Sequence, residues 1–452
     1  MTRNNDWFLK CAFFLVLMTL LITMACTAQM TAEQPEVEIS PTPTSSPISL
    51  ATVAIAPEKT AIIVETITPL PLKTDPAITN TLPITKTLPE TVTDDLRPPR
   101  DVTPTVPPIP TPVPYPLVNP TVTHLDFIST TFHSPFTRLT EAHIFEETIF
   151  FTGRVNPSAK NPFPNAIFTY NLQTGDTELL TVSIHGEEGV ICCMDVSKDW
   201  VAWLTYLPWG GMWRVCAKNL STGEEMIIDR EEDANLSTPR GPYLALSGDN
   251  LIWSSLRKLD DGSIKGYVMH YNLANQQAET IVETDWPESV GYVDVDGDRV
   301  VWSKGSVAGG QNMANVFQYN LSTHQLTQVT DDGYSGQPQI NGDYLVWRQG
   351  FYDTGPIIIN NLQTGKRIQL PYKGDYILLG DGLIMWSQYT GGFFKYLYDI
   401  ERNIVEGIVP EDSKYYTAFP SGRQVLLIVR PDDNEWVNGT GQIEIRTYPI
   451  LN

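Results

Sequence analysis

The chain has 452 residues with 30 basic and 52 acidic side chains, which gives a formal net charge of -22. Such an acidic chain repels nucleic-acid phosphates and anionic lipid headgroups, so we expect no nucleic-acid partner. The composition is uneven, because all 31 Gly lie at or after Gly153 whereas 20 of the 35 Pro lie between residues 27 and 120. We therefore predict an extended N-terminal part and a folded C-terminal part.

Residues 1–25 have the pattern of an export signal. A short stretch with Arg3 and Lys10 precedes an apolar run over residues 11–25. The run is shorter than the roughly 20 residues that span a bilayer, and it ends in a small residue. We predict a cleaved signal peptide and a protein located outside the cytoplasm.

The residues around the end of the signal favour lipid attachment. The sequence ITMAC, which ends at Cys26, resembles the lipobox of bacterial lipoproteins, although Thr23 and Met24 depart from the usual motif. The resemblance implies acylation of Cys26 and attachment to the cell membrane or cell surface through this lipid alone. Ordinary cleavage near Ala28 and a short uncleaved anchor are the alternatives.

Residues 26–120 form a segment rich in Pro and Thr that contains no Gly and one aromatic residue, Tyr115. Pro removes backbone donors and fixes φ, so such a segment favours extended polyproline II over packed structure. We predict a disordered, semi-stiff tether that connects the membrane anchor to a folded domain over residues 121–452.

Two phrases recur through the folded domain. The first is a Tyr-Asn-Leu strand end followed by a Ser/Thr-Gly turn, and its copies are spaced by 38 to 53 residues. The second is a β-rich run ending at or just after a Trp, which precedes five of these copies. Its Trp residues are Trp203, Trp253, Trp302, Trp347 and Trp386. Gly-Asp turns such as Gly297-Asp298 precede several of the runs.

This pattern predicts an all-β fold of repeated four-stranded units, each with strands A to D. Such units at 40- to 50-residue intervals are typical of a β-propeller, because one small sheet buries its faces only between neighbours. Seven units begin near residues 140, 190, 240, 290, 336, 375 and 415. The seventh has no residues left for strand D, so we predict that residues 122–127 pair there and close the ring. Six or eight blades are the alternatives.

The repeated phrases resemble those of the TolB-like propeller family. The resemblance covers about residues 135–450, although the usual Asp of the Tyr-Asp-Leu phrase is Asn in five of six copies. It implies an exported β-propeller. It does not select a function, since the family includes scaffolds, partner-binding domains, lyases and peptidase gates.

No cofactor or metal site is predicted. Alternating carboxylates at Asp294, Asp296 and Asp298 look like the start of a calcium loop. However, Gly297-Asp298 occupies a repeated turn, and the twelfth position of the candidate loop is Gly305 rather than Glu. The six His residues are dispersed among the units without metal-type spacing.

Besides the candidate acylation site Cys26, three cysteines remain after signal removal: Cys192, Cys193 and Cys216. An exported protein is expected to form disulfides, but neighbouring residues of a strand point to opposite faces. Cys216 falls on strand C, with strand B between it and the other two, which is too far for a bridge. We therefore predict three free thiols.

The loops between strands B and C vary in sequence and carry many aromatic residues, whereas the A–B and C–D turns are short and formulaic. Variation at one end of a propeller is typical of a binding surface. The candidate binding residues are Tyr206, Trp209, Trp213, Tyr352 and Trp436, and the same loops carry Phe163. Rigid aromatics with a polar edge suit sugar or protein surfaces.

The sequence therefore predicts a monomeric, non-catalytic propeller that binds a protein or glycan. The alternative is a propeller enzyme, such as a polysaccharide lyase or glycoside hydrolase, that acts on extracellular carbohydrate with acidic and His residues at the axis. A truncated relative of peptidase-gating propellers is a third interpretation, disfavoured because the sequence ends within the last unit.

Overall fold

The computed structural model describes residues 114–156, 161, 163–208, 212–231, 242–306, 313–350, 355–387, 394–408, 415–429 and 440–449. They form a seven-bladed β-propeller, as predicted. Each blade contains four antiparallel strands, from A at the central channel to D at the periphery, and in blades 1 to 6 strands A to D follow one another in sequence. Within the described ranges, no helix is both long and apolar enough to cross a membrane.

Two N-terminal strands, β1 (Thr121–Val122) and β2 (Ile128–Thr137), precede the first blade. Blades 1 to 3 comprise β3 (Ala142–Phe145), β4 (Thr148–Gly153), β5 (Ala166–Asn171), β6 (Thr177–Val182), β7 (Val190–Val196), β8 (Trp200–Tyr206), β9 (Trp213–Asn219), β10 (Glu225–Glu231), β11 (Tyr243–Ser247), β12 (Asn250–Lys258), β13 (Ile264–Asn272) and β14 (Gln277–Asp285). A single 3-10 turn, Gly186–Glu188, lies between blades 1 and 2.

Blades 4 to 7 follow without a helix in the described residues. They comprise β15 (Glu288–Asp296), β16 (Arg299–Ser306), β17 (Met313–Asn320), β18 (Gln325–Gln328), β19 (Ser335–Asn341), β20 (Tyr344–Gln349), β21 (Pro356–Asn361), β22 (Arg367–Lys373), β23 (Asp375–Leu379), β24 (Leu383–Ser387), β25 (Phe394–Asp399), β26 (Ile404–Gly407), β27 (Tyr415–Ser421), β28 (Gln424–Val429) and β29 (Thr440–Thr447). The blade starts agree closely with the predicted repeat boundaries.

The repeated Trp of strand B fills the core between neighbouring blades. All five of these Trp side chains are at most 2% exposed. In blades 1 and 7 the equivalent positions carry Phe151 and Leu427, both 0% exposed. Large apolar side chains at one position per blade hold the sheets together because each sheet buries its faces only against its neighbours.

The Asn of the repeated phrase is an acceptor that closes the C–D turn. The Asn320 side-chain oxygen accepts a hydrogen bond from the Thr323 backbone amide at 2.8 Å. Asp399 accepts the equivalent bond from the Arg402 amide at 3.0 Å. Asn and Asp are interchangeable here because only a side-chain oxygen is needed. The same position is held by Asn171, Asn219, Asn272 and Asn361.

The N-terminal segment closes the ring, but with different residues from those predicted. Strand β2, at residues 128–137, pairs antiparallel with β29 and becomes the outer strand of blade 7. The prediction of residues 122–127 was therefore wrong. Within β2, Phe132 is 5% exposed and stacks on Tyr170 of blade 1 at 3.9 Å between ring centroids, so this strand also seals blade 7 against blade 1.

Residues 115–122 run along the outer edges of blades 5 and 6. Tyr115 lies edge-on to Trp347 with ring centroids 6.2 Å apart, and Leu117 bridges Gln369 of β22. Strand β1 then pairs parallel with β26 of blade 6. Contacts with the propeller thus include residues 115–118, which were assigned to the tether. The Tyr115 ring packs on Trp347, and the backbone of residues 116–118 pairs with Gln369 at the open edge of β22.

Candidate functional site

The two ends of the propeller differ in construction. At one end, the backbone amide of the residue after each turn Asn bonds to the A–B turn of the same blade, as Leu321 does to Asp298 at 2.8 Å. This end, which we call the turn face, is therefore made of short, interlocked turns. The opposite end, the loop face, carries the B–C loops and the connections from strand D to the next blade.

A buried arginine organises the loop face at blade 1. Arg154 is 1% exposed, and its guanidinium donates to the backbone oxygens of Asn156, Phe163 and Glu187 at 2.9, 2.6 and 2.8 Å. Asn165 accepts from the Val155 amide at 3.1 Å. A charged group that satisfies three carbonyl oxygens holds the B–C loop against the connection to blade 2. The described residues of this loop are therefore supported by hydrogen bonds, and we call them the blade 1 platform.

Exposed aromatic side chains lie on this loop face. Phe163 is 38% exposed on the blade 1 platform, where Val155 and Ile184 are also exposed. Trp286, between blades 3 and 4, is 47% exposed, and Tyr376, at the start of β23, is 60% exposed. Trp286 is held by a hydrogen bond from its amide to the Ile264 oxygen at 3.0 Å. Large exposed apolar rings on supported backbone are typical of binding surfaces.

Trp286 and Tyr376 were not among the candidate binding residues, because those candidates came from the B–C loops. Trp286 lies where the chain passes from strand D to the next strand A, and Tyr376 is the second residue of strand A in blade 6. The sequence contains a usable indication for Trp286: it is a Trp-Pro pair at a blade boundary, away from the repeated strand B position that places Trp in the core.

Two of the predicted binding residues lie in the described part of the chain. Tyr206 and Trp213 face each other at the ends of β8 and β9 and contact the core between blades 2 and 3. Trp213 is 4% exposed, with the Arg257 guanidinium 5.6 Å from its ring centroid. Burial raises the pKa of Tyr206 above its usual value. Cys26, Trp209, Tyr352 and Trp436 lie outside the described residues.

A cavity of about 380 Å³ lies on the propeller axis and is lined by the innermost strands. Its polar side chains include Glu141, His143, Asp195, Asp294 and Asp296. His143 lies 3.8 Å from the Asp195 carboxylate. A channel with several carboxylates is the place where a propeller enzyme would assemble catalytic groups. The hydrogen-bond partners of these carboxylates therefore indicate whether their role is catalytic or structural.

The channel carboxylates hold neighbouring blades together. The two oxygens of Glu141 accept from the backbone amides of Cys193 and Met194 in blade 2, both at 2.9 Å. Asp195 accepts from the Leu246 amide of blade 3 at 2.8 Å, and Asp294 from the Ile340 amide of blade 5 at 2.7 Å. We call these interblade bonds latches.

Hydroxyl groups make similar latches elsewhere in the ring. Ser247 accepts from the Gly297 amide at 2.9 Å between blades 3 and 4. Ser421 donates to the Ile144 oxygen at 2.6 Å between blades 7 and 1. Many polar side chains near the axis thus form hydrogen bonds with backbone N–H and C=O groups that have no partner in the strand pairing.

The channel also shifts the pKa values of its acids. Desolvation raises the pKa of Asp294 to about 8, with repulsion from Asp195 adding to the effect and the bonds from backbone amides opposing it. Desolvation raises the pKa of Glu141 and Asp195 as well, and lowers the pKa of His143. The channel therefore favours neutral forms of its side chains.

The alternating carboxylates at residues 294–298 do not converge. Asp294 bonds to the Ile340 amide and Asp296 to the Gly342 amide at 3.1 Å, whereas Asp298 accepts from the Ser322 hydroxyl. Among the described residues, no group of three or more His, Cys, Asp or Glu side chains is arranged to hold a metal ion.

The three cysteines are free thiols in the structure. Cys192 and Cys193 do not point to opposite faces as predicted, however, because their sulfur atoms are 3.2 Å apart. A β-bulge interrupts β7 between Cys192 and Asp195 and disturbs the regular alternation of side chains.

No protein-family profile matches the chain, and no curated protein matches it significantly. Among solved structures, it is similar to an oligogalacturonate lyase in complex with manganese, at 12% identity and a TM-score of 0.46 over 73% of this chain and 99% of the lyase.

Two further similar structures come from a protease and a peptidase. The β-propeller domain of the Trilobed protease from Pyrococcus furiosus is 11% identical, with a TM-score of 0.47 over 66% of this chain and 92% of that domain. A prolyl endopeptidase is 14% identical, with a TM-score of 0.49 over 66% of this chain. The present chain covers 45% of that peptidase, which is about half its length. Identities this low concern architecture alone.

Proposed function

We propose that this protein is an exported, non-catalytic β-propeller of the TolB-like repeat type that binds a protein or glycan through its loop face. The observation that carries the proposal is the placement of Phe163, Trp286 and Tyr376, three exposed aromatic residues from different parts of the ring, on that one face. Aromatic side chains provide a large contact area at low entropic cost, and the polar N–H of Trp and O–H of Tyr suit both sugars and proteins.

The occupation of the channel carboxylates supports binding rather than catalysis. Glu141, Asp195 and Asp294 each accept backbone hydrogen bonds from a neighbouring blade. A carboxylate that leaves its latch to transfer a proton would expose unpaired amides, which costs about 1–3 kcal/mol for each group.

The alternative is a propeller enzyme that acts on extracellular carbohydrate. One observation favours it: the raised pKa of Asp294, about 8, suits a general acid near neutral pH. Incubation with extracellular polysaccharides separates the two functions. Saturable binding without new chain ends supports the binding protein, and product release that Asp294→Asn abolishes supports the enzyme.

The loop face is tested by replacing its exposed rings. Phe163→Ala and Trp286→Ala should each weaken binding to the retained polysaccharide or envelope protein by about 1–3 kcal/mol, because aromatic anchors dominate such interfaces. Affinity is measured by calorimetry on a ligand first selected from panels of both classes. Leu326→Ala is the matched control, since this residue is 54% exposed on the outer strand β18, away from the loop face.

The residues predicted from the B–C loops enter the same test. Trp209 falls in sequence between β8 and β9, and Trp436 between β28 and β29. Trp209→Ala and Trp436→Ala should therefore weaken binding to a similar extent. Unchanged affinity in all four variants would reject the loop face as the binding surface.

The anchor is tested separately. We propose that Cys26 is acylated and that the Pro- and Thr-rich segment then separates the propeller from the membrane. The mature N-terminal peptide should carry lipid on Cys26, and Cys26→Ser should release the protein from the membrane fraction. Mass spectrometry that finds an unmodified N-terminus beyond residue 26 would contradict the anchor and leave the binding proposal standing.

A further inference from the structure

The innermost strands share a bulge at one position of the repeat. In blades 2, 4, 5 and 6 the pairing of strand A with strand B is interrupted near the residue opposite the repeated Trp. In each case a residue other than glycine has a left-handed backbone, and these residues are Cys193, Tyr292, Gln337 and Tyr376. The bulge is therefore a feature of the architecture.

What differs among the blades is the residue before the bulge. In blades 4 and 5 it is a glycine, Gly291 or Gly336, so no side chain stands beside that of the bulged residue. In blade 2 it is Cys192, followed by Cys193 with a φ of 54°. The left-handed backbone disturbs the alternation that would separate the two thiols.

The sulfur atoms consequently lie in contact. The Sγ atoms of Cys192 and Cys193 are 3.2 Å apart. This is closer than the roughly 3.5–4.0 Å at which carbon atoms, which are smaller than sulfur, make favourable non-bonded contacts. A further approach of a little over 1 Å would reach the S–S bond length of about 2.05 Å.

The backbone at this bulge is held in place. The Glu141 carboxylate accepts from the amides of both Cys193 and Met194 at 2.9 Å, which fixes the two residues that follow Cys192. Both residues are half-buried, and Cys193 lines the axial cavity. The two sulfurs are therefore brought together by the blade itself and not by a flexible loop.

We infer that Cys192 and Cys193 form a disulfide between adjacent residues on the channel wall of the exported protein. The inference rests on the proposed export, because such bonds persist in oxidising compartments. The two S–H bonds break and one S–S bond forms. The two electrons and two protons pass to a disulfide-bearing oxidant, whose own S–S bond is reduced to two thiols.

Cys216 is excluded as a partner by its position. It is 1% exposed and packs in the core between blades 1 and 2, whereas Cys192 and Cys193 contact the core between blades 2 and 3. The exported chain therefore keeps one free thiol, and it is the buried one. Its pKa is raised by burial to about 12, so it is a poor nucleophile.

The bond is expected to form during folding. In the folded chain, the hydrogen bond with Cys193 and burial hold the pKa of the Cys192 thiol well above its usual value, so little thiolate is available for exchange. Because the loop that it closes is the shortest possible, its entropic stabilisation is small. Alkylation of the cysteine thiols is therefore a better measure of this disulfide than the melting temperature.

The test uses the full chain recovered from the cell envelope with its thiols alkylated under denaturing, non-reducing conditions. Trypsin places Cys192 and Cys193 together in the peptide 161–198 and Cys216 in the peptide 215–218. The first peptide should carry no alkyl group and have the mass of the dithiol less two hydrogen atoms. After reduction it should carry two alkyl groups. In Cys193→Ser, Cys192 should be alkylated without reduction, and Cys216→Ser should behave as the wild type.

A second arm separates this inference from export. The purified full chain is unfolded, reduced and refolded with a mixture of reduced and oxidised glutathione. Formation of the same unalkylated peptide supports the pair even if the native chain proves not to be exported. Two alkylated cysteines in peptide 161–198, either from envelope material or after this refolding, would overturn it.

Discussion

A variant that lacks residues 27–137 should lose its cooperative thermal transition, whereas one that lacks residues 27–113 should melt as the full chain does. The longer deletion removes β2, and with it the outer strand of blade 7 and the Phe132 ring between blades 7 and 1. Truncation of one such buried ring alone costs about 3–5 kcal/mol. Calorimetry of the two variants measures the difference.

The shorter deletion is the matched control because it retains every described residue of the N-terminal segment, including those that contact the propeller. If both variants melted alike, closure of the ring would depend on the interblade cores alone. If both lost the transition, residues 27–113 would contribute to folding, contrary to their interpretation as a tether.

Glu141→Ala should lower the free energy of unfolding by about 2–4 kcal/mol, because it leaves two backbone amides at the channel wall without an acceptor. Those amides belong to Cys193 and Met194, so the loss falls on the contact between blades 1 and 2. The change is measured as the shift in the midpoint of urea unfolding, with the slope compared to confirm that the same surface is exposed.

Glu147→Ala serves as the control for charge and composition. Glu147 lies on the exposed A–B turn of the same blade, where its backbone oxygen accepts from the Leu172 amide at 2.8 Å. Equal midpoints for the two variants would show that water in the channel replaces the carboxylate, and that the latch contributes no net stability.

The blade positions could be predicted because each repeat carries its own local evidence. A Gly-Asp turn, a Trp on strand B and an Asn that closes the next turn are all short-range features. The closing strand carries no such phrase. Pro135 makes β2 a weak strand candidate, yet it lies where the register with β29 shifts between His133 and Thr137, and an outer strand tolerates this.

The loop face could be predicted only in part. Its location follows from the variable B–C loops. Trp213 and Phe163 are both aromatic residues assigned to these loops, yet Trp213 is buried against Arg257 whereas Phe163 is exposed on the blade 1 platform. That difference depends on contacts between distant residues. The Cys192–Cys193 contact was missed for a related reason: alternation assumes a regular strand. The glycines at Gly291 and Gly336, in the equivalent place, were the available indication of a bulge.

The path of residues 115–122 determines how tension would reach the ring. If the chain is held at its N-terminus, a pull on it meets the Tyr115 contact with Trp347 first, then the Leu117 bridge, then the pairing of β1 with β26. Only after these contacts yield does the load reach β2. These contacts would break one after another. A force that separates residues 115–122 from blades 5 and 6 would therefore lengthen the extended N-terminal segment while β2 stays paired with β29 and blade 7 stays packed on blade 1.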